Sequence, residues 1–303
     1  MQIMRSQELF IEYLKVNKRY SPRTLEIYRE SIEELYCFIS PSEGEREADM
    51  LLPAQIRAFT AESLKRGLSP RSVNLRLSAI SSYCNFLVKN GTIEVNPVKR
   101  IKRPKEDKKL PEFYTSEAME GYFNEEVDPG DLFALRDRVM VETLYCTGIR
   151  RAELANLKVY NWDKGRKLFR VTGKGDKTRE VPVPETLSSD LEKYLRLMEE
   201  YYTENSQEYL FLTDNGEPMY LSFVNKIVRR ELTGKRGFSG RRSPHVLRHT
   251  FETHLLNNGA DLNSIKEVLG HSSLSATQVY THNSFENLKK TFLTAHPRAK
   301  KGG

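Results

Sequence analysis

One run of residues decides how many cores this chain can build. From Lys99 to Lys109 the sequence reads Lys-Arg-Ile-Lys-Arg-Pro-Lys-Glu-Asp-Lys-Lys. It is polar, strongly basic and interrupted by a proline, the composition of an interdomain linker. The chain has 303 residues, enough for a separately packed domain on each side. The expected division is a first domain over residues 1–98, a linker over 99–111 and a second domain over 112–303. A linker this cationic either lies along a polyanion as the two domains close around it or is simply solvated. The sequence leaves both open.

The first domain reads as helical. Leu25, Tyr28, Ile32, Leu35 and Ile39 recur at helical spacing, as do Val73, Leu77, Ile80, Cys84 and Leu87, and both stripes are core faces. Each segment opens alike, with Ser21-Pro22-Arg23-Thr24 and Ser69-Pro70-Arg71-Ser72. Serine caps the first amides and proline takes the first helical position. These are either plain helix starts or two positive helix ends, each with an arginine beside it, suited to backbone phosphates. Gly91 is placed to end the second helix.

Bulk properties narrow the partners. Lys and Arg outnumber Asp and Glu by 48 to 41, and a pI near 9.1 favours a polyanion such as DNA, although charge alone does not demand one. Cys37, Cys84 and Cys146 are far apart among apolar residues, so buried thiols are expected rather than a disulfide or metal ligands. That implies a reducing, cytoplasmic setting. No signal-like run opens the sequence, and nowhere do about 18 apolar residues follow one another, so a soluble protein with no membrane partner is expected.

The second domain, from about Thr115, reads as helices around a small sheet. A helical pattern over Asp131–Cys146 is stopped by Gly148, and Arg150 follows at once. Arg151-Ala152-Glu153-Leu154 opens another helix, where Glu153 can hold the Arg150 guanidinium or merely form a surface ion pair. Leu168–Val171 and Glu180–Val183 flank Gly173-Lys174-Gly175-Asp176-Lys177, a hairpin with a glycine-rich tip. Lys174 on that tip serves turn geometry unless a site lies beside it. The run lacks the ending of a nucleotide-binding phosphate loop.

From Ser243-Pro244 a helix places His245, Arg248, His249 and Glu252 on one side, with Leu247, Phe251 and Leu255 as its buried stripe. His245 and Arg248 then occupy the first turn, at the positive end where an anion is readily held. His245 and His249 also have the spacing of a metal pair, but an always-charged arginine stands between them and the glutamate of the zinc-protease helix is missing. His249 and His254 are expected to be structural. A further helix over Ile265–Leu269 ends at Gly270, His271 follows, and Tyr280 comes nine residues later, bracketed by polar Gln278 and Thr281 with only Val279 apolar beside it.

The segment from His245 to His282 and the run Thr147–Leu154, in this order after two Ser-Pro-Arg helix starts, resemble the tyrosine recombinases of the phage integrase superfamily, specifically the Xer type. The resemblance covers essentially the whole chain. It implies a mainly α fold with a small antiparallel β-sheet, arranged as a two-domain C-shaped DNA clamp: an N-terminal helical, SAM-like core-binding domain and a C-terminal α+β catalytic domain. It implies that Tyr280 attacks a scissile phosphate to give a 3′-phosphotyrosyl bond and a free 5′-hydroxyl. Arg150 and Arg248 hold the non-bridging oxygens, His271 adds a hydrogen bond, His245 assists phosphate contact and proton removal, and Lys174 protonates the leaving oxygen. Glu153 is supporting by position. No cofactor, metal or nucleotide is implied.

Candidate DNA-contacting residues are Arg23, Arg71, Lys99, Arg100, Lys102 and Arg103. The implied partners are a double-stranded recombination site, a tetramer with itself or a paralogous recombinase on two such sites, and a DNA translocase. Chromosome dimer resolution is the expected role and a nucleoid-associated cytoplasmic location goes with it. Integration or transposition of a mobile element, DNA inversion, a type IB topoisomerase and a non-catalytic DNA-binding protein are the alternatives.

Overall fold

The computed structural model describes residues 2–40, 51–106, 112–173, 177–202, 208–270 and 294–299, with side chains from Ser6 onward. The chain forms two compact units, Met1–Lys109 and Leu110–Gly303. Among the described residues no helix is long and apolar enough to cross a membrane.

Among the described residues the first unit contains four α-helices, α1 (Gln2–Val16), α2 (Pro22–Ile39), α3 (Pro53–Lys65) and α4 (Pro70–Lys89). Both serine caps form as the sequence requires: Ser21 Oγ accepts from the Thr24 amide at 3.3 Å and Ser69 Oγ from the Ser72 amide at 3.2 Å. The α4 stripe is fully buried, and on α2 Ile32 and Leu35 are buried while Leu25, Tyr28 and Ile39 pack partly covered against the same core. Gly91 takes φ +69 just past the α4 cap, where its amide bonds Val88 O at 3.1 Å.

One expectation is corrected here. Cys37 is exposed, not buried. It sits on the side of α2 turned away from Ile32 and Leu35, and its thiol donates to Glu33 Oε1 at 3.5 Å. The first eight residues of the basic segment, 99–106, are also fastened to the first unit. Val98 and Ile101 enter its core, Arg103 Nη1 donates to Asn74 O at 3.1 Å and Ser78 Oγ at 2.9 Å, and Asn74 Nδ2 donates to Pro104 O at 3.0 Å. One buried isoleucine and two side chains bonded to backbone anchor this part of the basic run.

The second unit is organised around α6 (Leu132–Thr147), which follows α5 (Ser116–Phe123). Asp131 Oδ1 caps α6 by accepting from the Phe133 and Ala134 amides, each at 2.9 Å. The helix is buried nearly all round, the signature of a central helix rather than a surface one. Packed on it are α8 (Glu185–Tyr201), α9 (Leu221–Leu232) and α10 (Pro244–Asn257), and α11 (Leu262–Leu269) follows α10. The expected hairpin is present as β2 (Leu168–Thr172) and β3 (Thr178–Pro182), antiparallel with Phe169 opposite Val181. A short third strand, β1 (Trp162–Asp163), adds to β2; two residues are too few to show alternation in the sequence.

Gly148 ends α6 in the left-handed region, φ +60. The turn is also a packing point: a Cβ there would lie 2.5 Å from the Phe251 ring of α10 and 2.8 Å from Leu269 of α11. Only glycine lets these three elements meet. Gly148→Ala is expected to cost about 1–2 kcal/mol for the backbone and a further 1–3 kcal/mol, roughly, for overpacking, read as a lowered midpoint in urea unfolding.

Candidate active site

What Gly148 achieves is to deliver Arg150 to the joint between α6, α10 and α11. Arg150 is the N-cap of α7 (Arg151–Ala155), and Glu153 reaches back to it. Glu153 Oε2 accepts the Arg150 amide at 2.7 Å, and Glu153 Oε1 accepts Arg150 Nη1 at 2.9 Å. The carboxylate therefore satisfies an open helix amide and aims a guanidinium at once. The Glu153 side chain is 5 % exposed. Burial alone pushes its carboxyl upward, but the paired hydrogen bonds and charge of Arg179, with those of Arg150, outweigh it and hold it below the usual glutamate value.

Arg248 comes from the second turn of α10. Its Nη1 donates to Gly148 O at 2.5 Å and its Nη2 to Leu269 O at 2.9 Å. Arg150 Nη2 donates to the next carbonyl, Gly270 O, at 3.2 Å. The last carbonyls of a helix lack intrahelical partners, and those of α11 are taken by arginines from two other elements. Gly270, at φ +64, is the residue immediately before His271. Burial, and then the neighbouring charge of Arg150, push the Arg248 guanidinium down to about 10. Two cations held this close lower their mutual repulsion by sharing an anion.

Both arginines open on one cavity of about 710 Å³, which His245 also lines. Besides Arg150 and Arg248, its wall carries Arg151, Lys226, Arg229, Arg241 and Arg242, and no acidic side chain. Ser222, Asn225, Lys226 and Arg229 line it from α9 at positions i, i+3, i+4 and i+7, while Phe223, Val224, Ile227 and Val228 of the same helix face the core. At the mouth of α10, Ser243 occupies the N-cap without capping through its side chain. Its Oγ is buried and has no hydrogen-bond partner among the described residues. The cavity is thus a cationic pocket at a helix start, suited to a phosphodiester.

The other histidines of α10 fall outside it. His249 lies beside Glu252, Nδ1 to Oε2 3.5 Å. His254 is buried, with Nε2 at 2.9 Å from Tyr114 O and Nδ1 at 3.0 Å from Tyr145 Oη. A carbonyl only accepts, so Nε2 carries the proton and Nδ1 accepts from the phenol. Burial lowers the ring's pKa and favours this neutral form.

Lys174, His271 and Tyr280 lie outside the described residues. Their described neighbours bear on them. A Cβ on Gly173 would stand 3.2 Å from Glu153 Oε1, so the root of the Lys174 hairpin adjoins the Arg150 cluster. The cavity-lining cations of α9 and of 241–242 were not singled out from the sequence. Arg179 was missed altogether, although it shares the inward register of Val181 on β3.

In the first unit, Arg71, Lys99, Arg100, Lys102 and Arg103 are exposed, and Arg23 is exposed with its Nη1 on Glu26 Oε2 at 2.5 Å. A basic exposed set fits a backbone contact and decides nothing about sequence.

Residues 119–287 match the phage integrase family, and residues 8–91 match the N-terminal SAM-like domain of phage integrases. The chain belongs to the phage integrase family of tyrosine recombinases. It is 38% identical over 297 residues to the tyrosine recombinase XerC of Bacillus licheniformis, with 97% of each chain covered. With that of Bacillus subtilis it shares 36% over 295 residues and 96% of each chain. Its fold is that of the XerH site-specific recombinase bound to its difH substrate (TM-score 0.65, 21% identity, 93% of this chain and 82% of the other). The Tn1549 transposon integrase in complex with circular intermediate DNA is similar too (TM-score 0.66, 18% identity, 93% and 98% covered). The recombinase is a DNA-acting enzyme that cleaves and rejoins strands at specific sites. Its cationic cavity lies within the region matched to the catalytic family model.

Proposed function

We propose that the cavity holds the scissile phosphate and that Tyr280 attacks it. The bond from phosphorus to the leaving 5′ oxygen breaks as the phenolic oxygen bonds to phosphorus, leaving a 3′-phosphotyrosyl link and a 5′-hydroxyl. Arg150 and Arg248 stabilise the charge of the five-coordinate transition state. His245 contacts the phosphate and assists removal of the phenolic proton, His271 adds a hydrogen bond, and Lys174 supplies the proton to the departing oxygen. Glu153 keeps Arg150 aimed. The observation that carries this reading is the pairing of Arg150 and Arg248 on consecutive carbonyls, Gly270 O and Leu269 O, at the lip of one anion pocket. Both guanidiniums thereby bracket the point from which the chain proceeds to His271 and Tyr280. The phosphotyrosyl link conserves the energy of the broken bond, so rejoining needs no nucleotide.

The biological role we propose is Xer-type resolution of chromosome dimers in the cytoplasm, in association with the nucleoid. The enzyme would act as a tetramer, with itself or a paralogue, on two DNA sites, and in concert with a DNA translocase. Similarity to XerC proteins along nearly the whole chain supports this. Arg23, Arg71, Lys99, Arg100, Lys102 and Arg103 are proposed to contact the DNA backbone. The test is to sequence DNA captured by the protein and then supply two labelled copies of the captured site. Joining of the two copies is expected. Relaxation of supercoils through single nicks without joining would assign a topoisomerase instead.

A further inference from the structure

Arg179 belongs to the arginine cluster but does not line the cavity. It stands on β3 at 7 % exposure. Its Nη1 and Nη2 donate to Glu153 Oε1 and Oε2 at 3.0 and 2.8 Å, a bidentate pair, and its Nε donates to Val268 O at 2.6 Å. Val268 O, Leu269 O and Gly270 O, three successive carbonyls at the end of α11, are thus each held by an arginine of a different element: Arg179, Arg248 and Arg150. A Cβ on Gly270 would meet the Arg179 side chain at 3.2 Å, so the end of α11 lies directly on it. On the other side a Cβ on Gly173 would be 3.6 Å from Arg179 Nη1.

Burying an ion pair this completely is a weak way to gain stability, because desolvation offsets most of the attraction. A fixed, planar arrangement of donors is what such a group supplies. Arg179 bonds the carboxylate that aims Arg150 and the helix end that precedes His271, and its guanidinium lies beside the root of its own hairpin at Gly173.

We propose that Arg179 is a positioning residue for strand cleavage, a single guanidinium that fixes the Glu153 carboxylate, the α11 end and the root of the hairpin at Gly173 relative to one another. The inference rests on the preceding reading of the site. Lysine keeps the charge but presents its donors from one point, and it cannot span both Glu153 oxygens and Val268 O in one plane. Methionine keeps the bulk and removes every donor.

The test uses the full chain with Arg179→Lys and Arg179→Met, each checked for cooperative unfolding and for DNA binding by gel shift. Single-turnover cleavage is then measured on DNA carrying the captured site. A second DNA has sulfur in place of the leaving 5′ oxygen at the scissile phosphate. A thiolate departs without a proton, so this substrate removes the demand on Lys174. The expected result is unchanged binding, with cleavage of ordinary DNA slowed about a hundredfold, the effect of displacing catalytic groups by roughly 1 Å. The deficit should narrow by roughly tenfold or more on the sulfur DNA, because part of it comes from misplaced proton donation. If Arg179→Met fails to unfold cooperatively, Arg179→Lys decides alone.

Normal cleavage by a folded variant would overturn the proposal, as would an equal deficit on both substrates or a deficit that merely follows weakened binding. If the unaltered enzyme gives no covalent adduct on either DNA, the reading of the whole site falls. An adduct from the unaltered enzyme with unimpaired Arg179 variants removes only the positioning role.

Discussion

Tyr280→Phe is expected to bind DNA as the unaltered enzyme does and to form no covalent protein–DNA adduct at all. The substitution removes one oxygen and leaves the ring, so packing and cationic surface persist while the nucleophile is gone. The check is a denaturing gel of each protein after incubation with a nicked duplex whose cut strand cannot be rejoined. The chain has 15 tyrosines, and their surroundings limit which could substitute. Tyr36, Tyr83, Tyr114, Tyr122, Tyr145 and Tyr194 are buried, and burial pushes the phenols of Tyr83 and Tyr114 up to about 12. A phenol in that state is a poor nucleophile and cannot reach a duplex. Tyr160, Tyr201 and Tyr220 are exposed. An adduct that survives Tyr280→Phe would move the nucleophile to one of these, with Tyr220, two residues before the cavity-lining Ser222, the first to examine.

The sequence made the scaffold legible wherever one residue type has one local job. Serine before proline marked both capped helices, Gly148 marked a left-handed turn, and the α4 stripe marked a core face. Arg150, His245 and Arg248, each assigned by motif, do reach one cavity. Tertiary partners decided the rest. Arg179 reads as an ordinary strand arginine because nothing adjacent to it in sequence reveals Glu153 or Val268 as its partners. Segment 99–106 reads only as a basic linker because a single Ile101 carries its burial. Cys37 reads as core because its helix is apolar on the opposite face. For Arg179 and segment 99–106 a long-range contact decides the outcome, which is where periodicity carries no information; Cys37 lies off the buried face of its own helix.

Arg248→Ala should slow cleavage by about a hundred- to a thousandfold, the equivalent of roughly 3–4 kcal/mol for loss of one pre-aimed transition-state donor. Binding should weaken far less, because six of the cations lining the cavity remain: Arg150, Arg151, Lys226, Arg229, Arg241 and Arg242. The variant has a second, separable effect. Gly148 O and Leu269 O both accept from this side chain, and a buried carbonyl left without a donor costs about 1–3 kcal/mol, so thermal unfolding should also shift down. Arg248→Lys separates the two effects. Its charge still attracts phosphate, but one ammonium cannot bond both carbonyls and also brace a phosphate oxygen. Binding should therefore be close to normal while cleavage remains deeply impaired. The decisive measurement is single-turnover cleavage at saturating DNA, at a temperature where both variants are folded. Near-normal cleavage by either variant under those conditions would mean that the cavity binds phosphate without carrying the reaction, and the site would have to be sought elsewhere.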